Sequence, residues 1–93
     1  MKQEIETGDL FRGAYLLCSG GSLDEVRLSR RGEVLFSIGG DDVRDLDLRY
    51  RTGQAMVNPL QLRETLNLLR DIVFERVRSE KREGRRHHGA FAG

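Results

Sequence analysis

Between Asn58 and Arg82, Leu62, Leu66, Leu69, Ile72, Val73 and Val77 recur at helical spacing, while Arg63, Glu64, Arg70, Asp71, Glu75 and Arg78 fall largely on other faces. This period predicts one long amphipathic helix that must lie against an apolar surface. Its start is marked three times over. Asn58 offers a capping oxygen, Pro59 stands where a missing N–H costs nothing, and Gln61 is spaced for a capping box. Leu68 and Phe74 stand off the main stripe and widen the apolar face.

Earlier segments follow other rules. Leu10 to Cys18 is apolar nearly all round, so a buried helix is expected over residues 9–19, capped by Thr7 or Asp9 and ended by Gly20-Gly21. Val26 and Leu28 then alternate with Arg27 and Ser29. After Arg30-Arg31-Gly32, Val34, Phe36 and Ile38 resume the inward phase, which predicts a β-hairpin with Leu35 on its outer face. Residues 43–52 fit two patterns: Val43, Leu46 and Tyr50 a helix face, Leu46, Leu48 and Tyr50 an alternating strand. Acidic residues in the first turn and Thr52-Gly53 at the end favour the helix. Gln54 to Val57 reads as a short strand.

The expected order is α-β-β-α-β-α: an α+β domain with a three-stranded sheet and helices on one face. If the last strand ran parallel to its neighbour, its crossover would be right-handed. Residues 1–8 are expected to be a flexible N-terminus, 9–78 the single domain, and 79–93 a basic, disordered tail.

Composition narrows the class. A chain of 93 residues supports one small core. No apolar run approaches the ~20 residues of a membrane span, and Lys2-Gln3-Glu4-Ile5-Glu6 is no secretory leader, so a cytoplasmic protein is expected. The single cysteine, Cys18, allows no internal disulfide. The formal net charge of +1 hides a split, because residues from 76 onward carry +4 and residues 1–75 carry −3. Cations near a helix C-terminus are favourable in any case, yet charge blocks of opposite sign also mark interaction arms.

Ala14-Tyr15-Leu16-Leu17, Gly20-Gly21, Val34-Leu35-Phe36-Ser37-Ile38 and Tyr50-Arg51-Thr52-Gly53-Gln54-Ala55-Met56-Val57 form a recognisable series. In these features the chain resembles a small bacterial and phage family known only as a domain of unknown function. Its members carry a helix with an Ala-aromatic/Leu-Leu core, a glycine, a hairpin ending in an aromatic strand, and aromatic-x-x-Gly-x-x-x-Val before a final helix. The likeness spans about residues 9–76 and rests on ordinary packing residues. It implies a helix over 41–52 and brings no active site with it.

Candidate chemistry is sparse. His87-His88 lacks the cysteine or carboxylate partners of a preorganised metal site. Asp41, Asp42, Asp45 and Asp47 lack the ligand spacing of a calcium loop and read better as helix-capping residues. Cys18 has no base near it in the chain and reads as a core thiol rather than a nucleophile. Gly20-Gly21 and Gly39-Gly40 are not phosphate loops. No enzyme, cofactor, metal or small-molecule substrate is expected.

Arginine remains, with 14 against two lysines, a bias that coding composition also produces. A basic hairpin and a basic arm suggest non-specific nucleic-acid binding, with Arg30, Arg31, Arg82, Arg85 and Arg86 on phosphates. The alternative is a protein-interaction or homodimerisation module using Leu35, Leu68 and Phe74.

Overall fold

The computed structural model describes residues 2–92, and their side chains from Lys2 to Glu80. In chain order the elements are strand β1 (Gln3–Thr7), helix α1 (Leu10–Cys18), strands β2 (Ser22–Leu28) and β3 (Val34–Gly40), and helices α2 (Val43–Arg51) and α3 (Pro59–Ala92). The fold is α+β with a three-stranded sheet of order β1-β3-β2, antiparallel throughout.

The third strand comes from the N-terminus, which corrects both the flexible start expected at 1–8 and the strand expected at Gln54–Val57. Glu4, Ile5 and Glu6 alternate as an edge strand does, and Ile5 pairs opposite Ile38. Residues 54–57 pair with no strand, and Met56 is 90% exposed. With no parallel pair in the sheet, there is no crossover of fixed hand.

Period-two alternation sorts the sheet into two faces. Ile5, Ile38 and Leu23 form one row and Thr7, Phe36 and Val26 the next, all turned toward the helices. Phe36 and Ile38 are buried against Tyr15, Leu16, Val43, Leu46, Leu69 and Val73. Glu6, Ser37 and Glu25 occupy the opposite face, where Arg27 reaches Glu6. Leu35 pairs with Arg27 on that side but is mostly covered, its side chain lying beside Gly8 at the rim of the sheet, which corrects its expected position on an open outer face.

Each helix is fixed by a local device. Asp9 caps α1, its Oδ1 accepting the N–H groups of Phe11 at 3.0 Å and Arg12 at 3.3 Å. Gly13 lets α1 approach the core, since a Cβ there would run into the Phe36 ring and come within 3.0 Å of Leu69 Cδ2. Gly20 at φ 111° closes the helix, and the next N–H, of Gly21, donates to the Leu16 carbonyl at 2.9 Å. Helix α2 confirms the helical pattern of residues 43–52, but Asp42 makes no side-chain cap. Gln3 of β1 supplies it instead, its Oε1 accepting the Arg44 N–H at 3.0 Å. Asn58 Oδ1 caps α3 as the sequence predicts, at 2.9 Å from the Leu60 nitrogen and 3.2 Å from that of Gln61.

Leu69 and Val73 of α3 complete the core, with Leu62 packed beside them. Ile72, expected in the buried stripe, lies instead on an open flank at 37% exposure. Ser79 and Glu80 continue the helix, Glu80 paired with Arg76 at 3.2 Å, so the expected tail does not start at 79. The rest of that tail lies outside the residues described with side chains.

Candidate interaction surface

Most of the described arginines are engaged within the fold. The largest such site joins α1 to α2. Asp47 is 2% exposed and accepts a two-pronged bond from Arg12, at 2.5 Å from Nε and 2.6 Å from the terminal nitrogen, plus one from Arg51 Nε at 3.1 Å. The Arg12 bond holds the Asp47 carboxyl below its usual range, against the opposing pull of burial, and the same bond raises Arg12. Tyr15 and Tyr50 stack alongside with ring centroids 5.7 Å apart. Burial, and then the negative charge of Asp9, push the Tyr50 hydroxyl up. No buried side-chain polar atom among the described residues lacks a partner, and the Arg12–Asp47 fork acts as a clasp between two helices.

The open face of the sheet repeats the pattern in water. Arg27 grips Glu6 at 2.8 and 3.2 Å, and this bond lowers the Glu6 carboxyl and raises Arg27. Lys2 pairs with Asp24 at 3.0 Å, and Arg49 with Asp45 at 3.2 Å. Arg27, which the alternation puts on the outer face of the basic hairpin, is therefore neutralised in place.

Arg30 and Arg31 lie on the turn between β2 and β3, exposed and without an ion pair among the described residues. Helix α3 runs toward that end of the sheet. Its first turns meet Cys18 through Gln61 and Thr65, and Val73 reaches the level of Val34, opposite Leu28 at the end of β2. Arg82, Arg85, Arg86, His87 and His88 lie outside the residues described with side chains. Cys18 is half-buried between α1 and α3, with its sulfur 3.1 Å from Thr65 Oγ1, as a packing thiol would be. Among the described residues no three metal-ligating side chains come together. No helix among them is long and apolar enough to cross a membrane.

The expected interface residues divide. Leu68 and Phe74 are exposed, at 61% and 57%, on different faces of α3. Leu35 lines a separate hollow with Leu10, Val34 and Val73. The larger feature has no signature in the sequence. It is an open groove of about 650 Å³ between β2 and α3, with Val26 and Ile72 as apolar lining and Glu25, Asp71, Glu75 and Arg76 around it. Leu68 continues this flank one turn before Ile72. Ile72 fitted the helical stripe so well that sequence placed it in the core; only the position of β2 leaves it open.

No protein family, curated protein or solved structure matches this chain.

Proposed function

We propose that this chain is a non-catalytic protein-binding module of the cytoplasm, working through the flank of α3 beside β2. One observation carries the reading. Ile72 stands partly open beside Val26 of a strand that, among the described residues, has a neighbour on one side only, Leu68 is exposed one turn earlier, and Leu69 is completely buried. Apolar side chains grouped on one flank and rimmed by charge are the usual mark of a docking surface. The pairing of Arg12, Arg27, Arg49, Arg51, Arg76 and Arg78 within the fold supports the same choice, because it removes much of the cationic field that phosphate binding needs.

A photoreactive side chain placed at Ile72, with a control at exposed Arg63, tests this in cells. A discrete protein adduct from position 72 alone supports the reading. Equal adducts from both positions, or none, overturn it.

Arg30 and Arg31 favour a second reading, non-specific nucleic-acid binding at the hairpin end, where the sequence adds Arg82, Arg85 and Arg86. Association with duplex DNA that falls steeply with salt, and is weakened by Arg30→Ser with Arg31→Ser, would establish it. Undetectable association at low ionic strength would end it.

A further inference from the structure

The outer edge of β2 and the groove beside it form one continuous feature. In the order β1-β3-β2, β3 occupies one edge of β2, and among the described residues the other edge has no strand beside it. Such an edge offers a row of N–H and C=O groups to any extended chain that arrives. Asp24 is an extra residue between Leu23 and Glu25, a bulge that interrupts regular pairing there. The regular edge therefore runs from Glu25 to Leu28, directly alongside Val26 and Ile72 in the groove.

Charge specifies what fits. Arg76 is held by Glu80 at 3.2 Å, and Glu75 meets Arg78 at 3.5 Å, so these charges largely balance. Glu25 and Asp71 form no ion pair among the described residues, and Glu25 only adds its charge to the field on Arg27, which Glu6 already holds, so the rim is left net negative. A second copy of this chain would bring a rim of the same sign to this one, adding negative charge where a cation would cancel it. A cationic strand meets no such opposition.

Resting on the reading of this flank as a protein-binding surface, we propose that it receives an extended, basic segment of another protein. The segment adds to β2 along Glu25–Leu28. It inserts an apolar side chain between Val26 and Ile72, and the side chain next to it in sequence sets arginine or lysine against Glu25 on the open face of the sheet. Alternation along a strand makes the two demands compatible, since successive side chains point to opposite sides.

The test uses the full chain, isotope-labelled, and a short peptide alternating arginine and valine, at low ionic strength. Saturable binding is expected, with amide shifts concentrated in β2 and around Ile72. Glu25→Lys combined with Asp71→Lys weakens it by about tenfold or more, and Ile72→Asp does so with the charges intact. Methylating alternate peptide nitrogens removes the strand bonds and abolishes binding, a result that depends on no variant folding. Equal binding of an aspartate–valine peptide or of the methylated peptide, shifts confined to the Arg30-Arg31 turn, or no binding at all would each overturn the proposal. If the photoreactive residue at position 72 still captures a protein when the peptide fails, only the extended, basic partner is refuted. If both fail, the binding surface itself is refuted.

Discussion

Leu68 and Leu69 are neighbours on one helix, yet one is 61% exposed and the other 0%. Their difference is set by what faces α3 on each side. Toward α1 and β3, the missing side chain of Gly13 lets the helices close, and Leu69 fills the space against Phe36. Toward β2 the strand ends the sheet, and nothing in the described chain closes over Ile72 and Leu68. One amphipathic helix thus carries an apolar face that holds the fold and an apolar flank that does not. Hydrophobic residues in a helical pattern do not all serve the same purpose.

The contrast can be broken most strongly from the buried side. Leu69→Ala leaves a cavity beneath Phe36 and Gly13 and is expected to lower stability by about 3–4 kcal/mol in chemical denaturation. Asp47→Ala leaves the half-buried Arg12 without its acceptor. Its expected cost is about 2–3 kcal/mol, reduced from that of a wholly buried pair because Arg51 stays in water. The same carboxylate sets an acid limit. Its pKa is lowered from the ordinary 3.8 in the folded state, so the folded chain binds that proton less readily than the unfolded one. The stability it contributes is full above the ordinary value and is lost as pH falls through the folded one. Denaturation midpoints of the native chain should fall in that acid range, and those of Asp47→Asn should fall less.

Glu6→Gln sharpens the comparison from the exposed side. It removes the charge from a second arginine fork, longer and in water, and a change in melting temperature barely above error is expected. Leu68→Ser is the smallest effect, within about 0.5 kcal/mol of the native stability. A loss from Leu68→Ser comparable with that from Leu69→Ala would place the flank inside the core.

Much of this fold is legible in the chain. Asn58-Pro59, the leucine spacing of α3, the Arg30-Arg31-Gly32 turn and the Asp9 cap are local signals, and local physics decides them. Strand β1 was missed because a single apolar residue, Ile5, alternates there with glutamates, which reads equally as a polar terminus. Ala55-Met56-Val57 has the alternation of a strand but no strand to pair with, and pairing is a property of the sheet rather than of the segment. The partnership of Arg12 with Asp47, 35 residues apart, has no sequence signature. Asp47 therefore read as a helix-start acid and Arg27 as a basic surface. The groove was hidden for the same reason, since Ile72 obeys the helical period and its exposure depends on where β2 stops the sheet.

Ile72→Ser measured twice, once by chemical denaturation and once by affinity for the arginine–valine peptide, addresses the division of α3 most directly. A loss of about 1 kcal/mol from its partial burial, well short of that from Leu69→Ala, together with a loss of peptide affinity, is the expected pair of results. Destabilisation on the scale of Leu69→Ala with affinity for the peptide retained would show that Ile72 belongs to the core and that the flank beside β2 binds nothing through it.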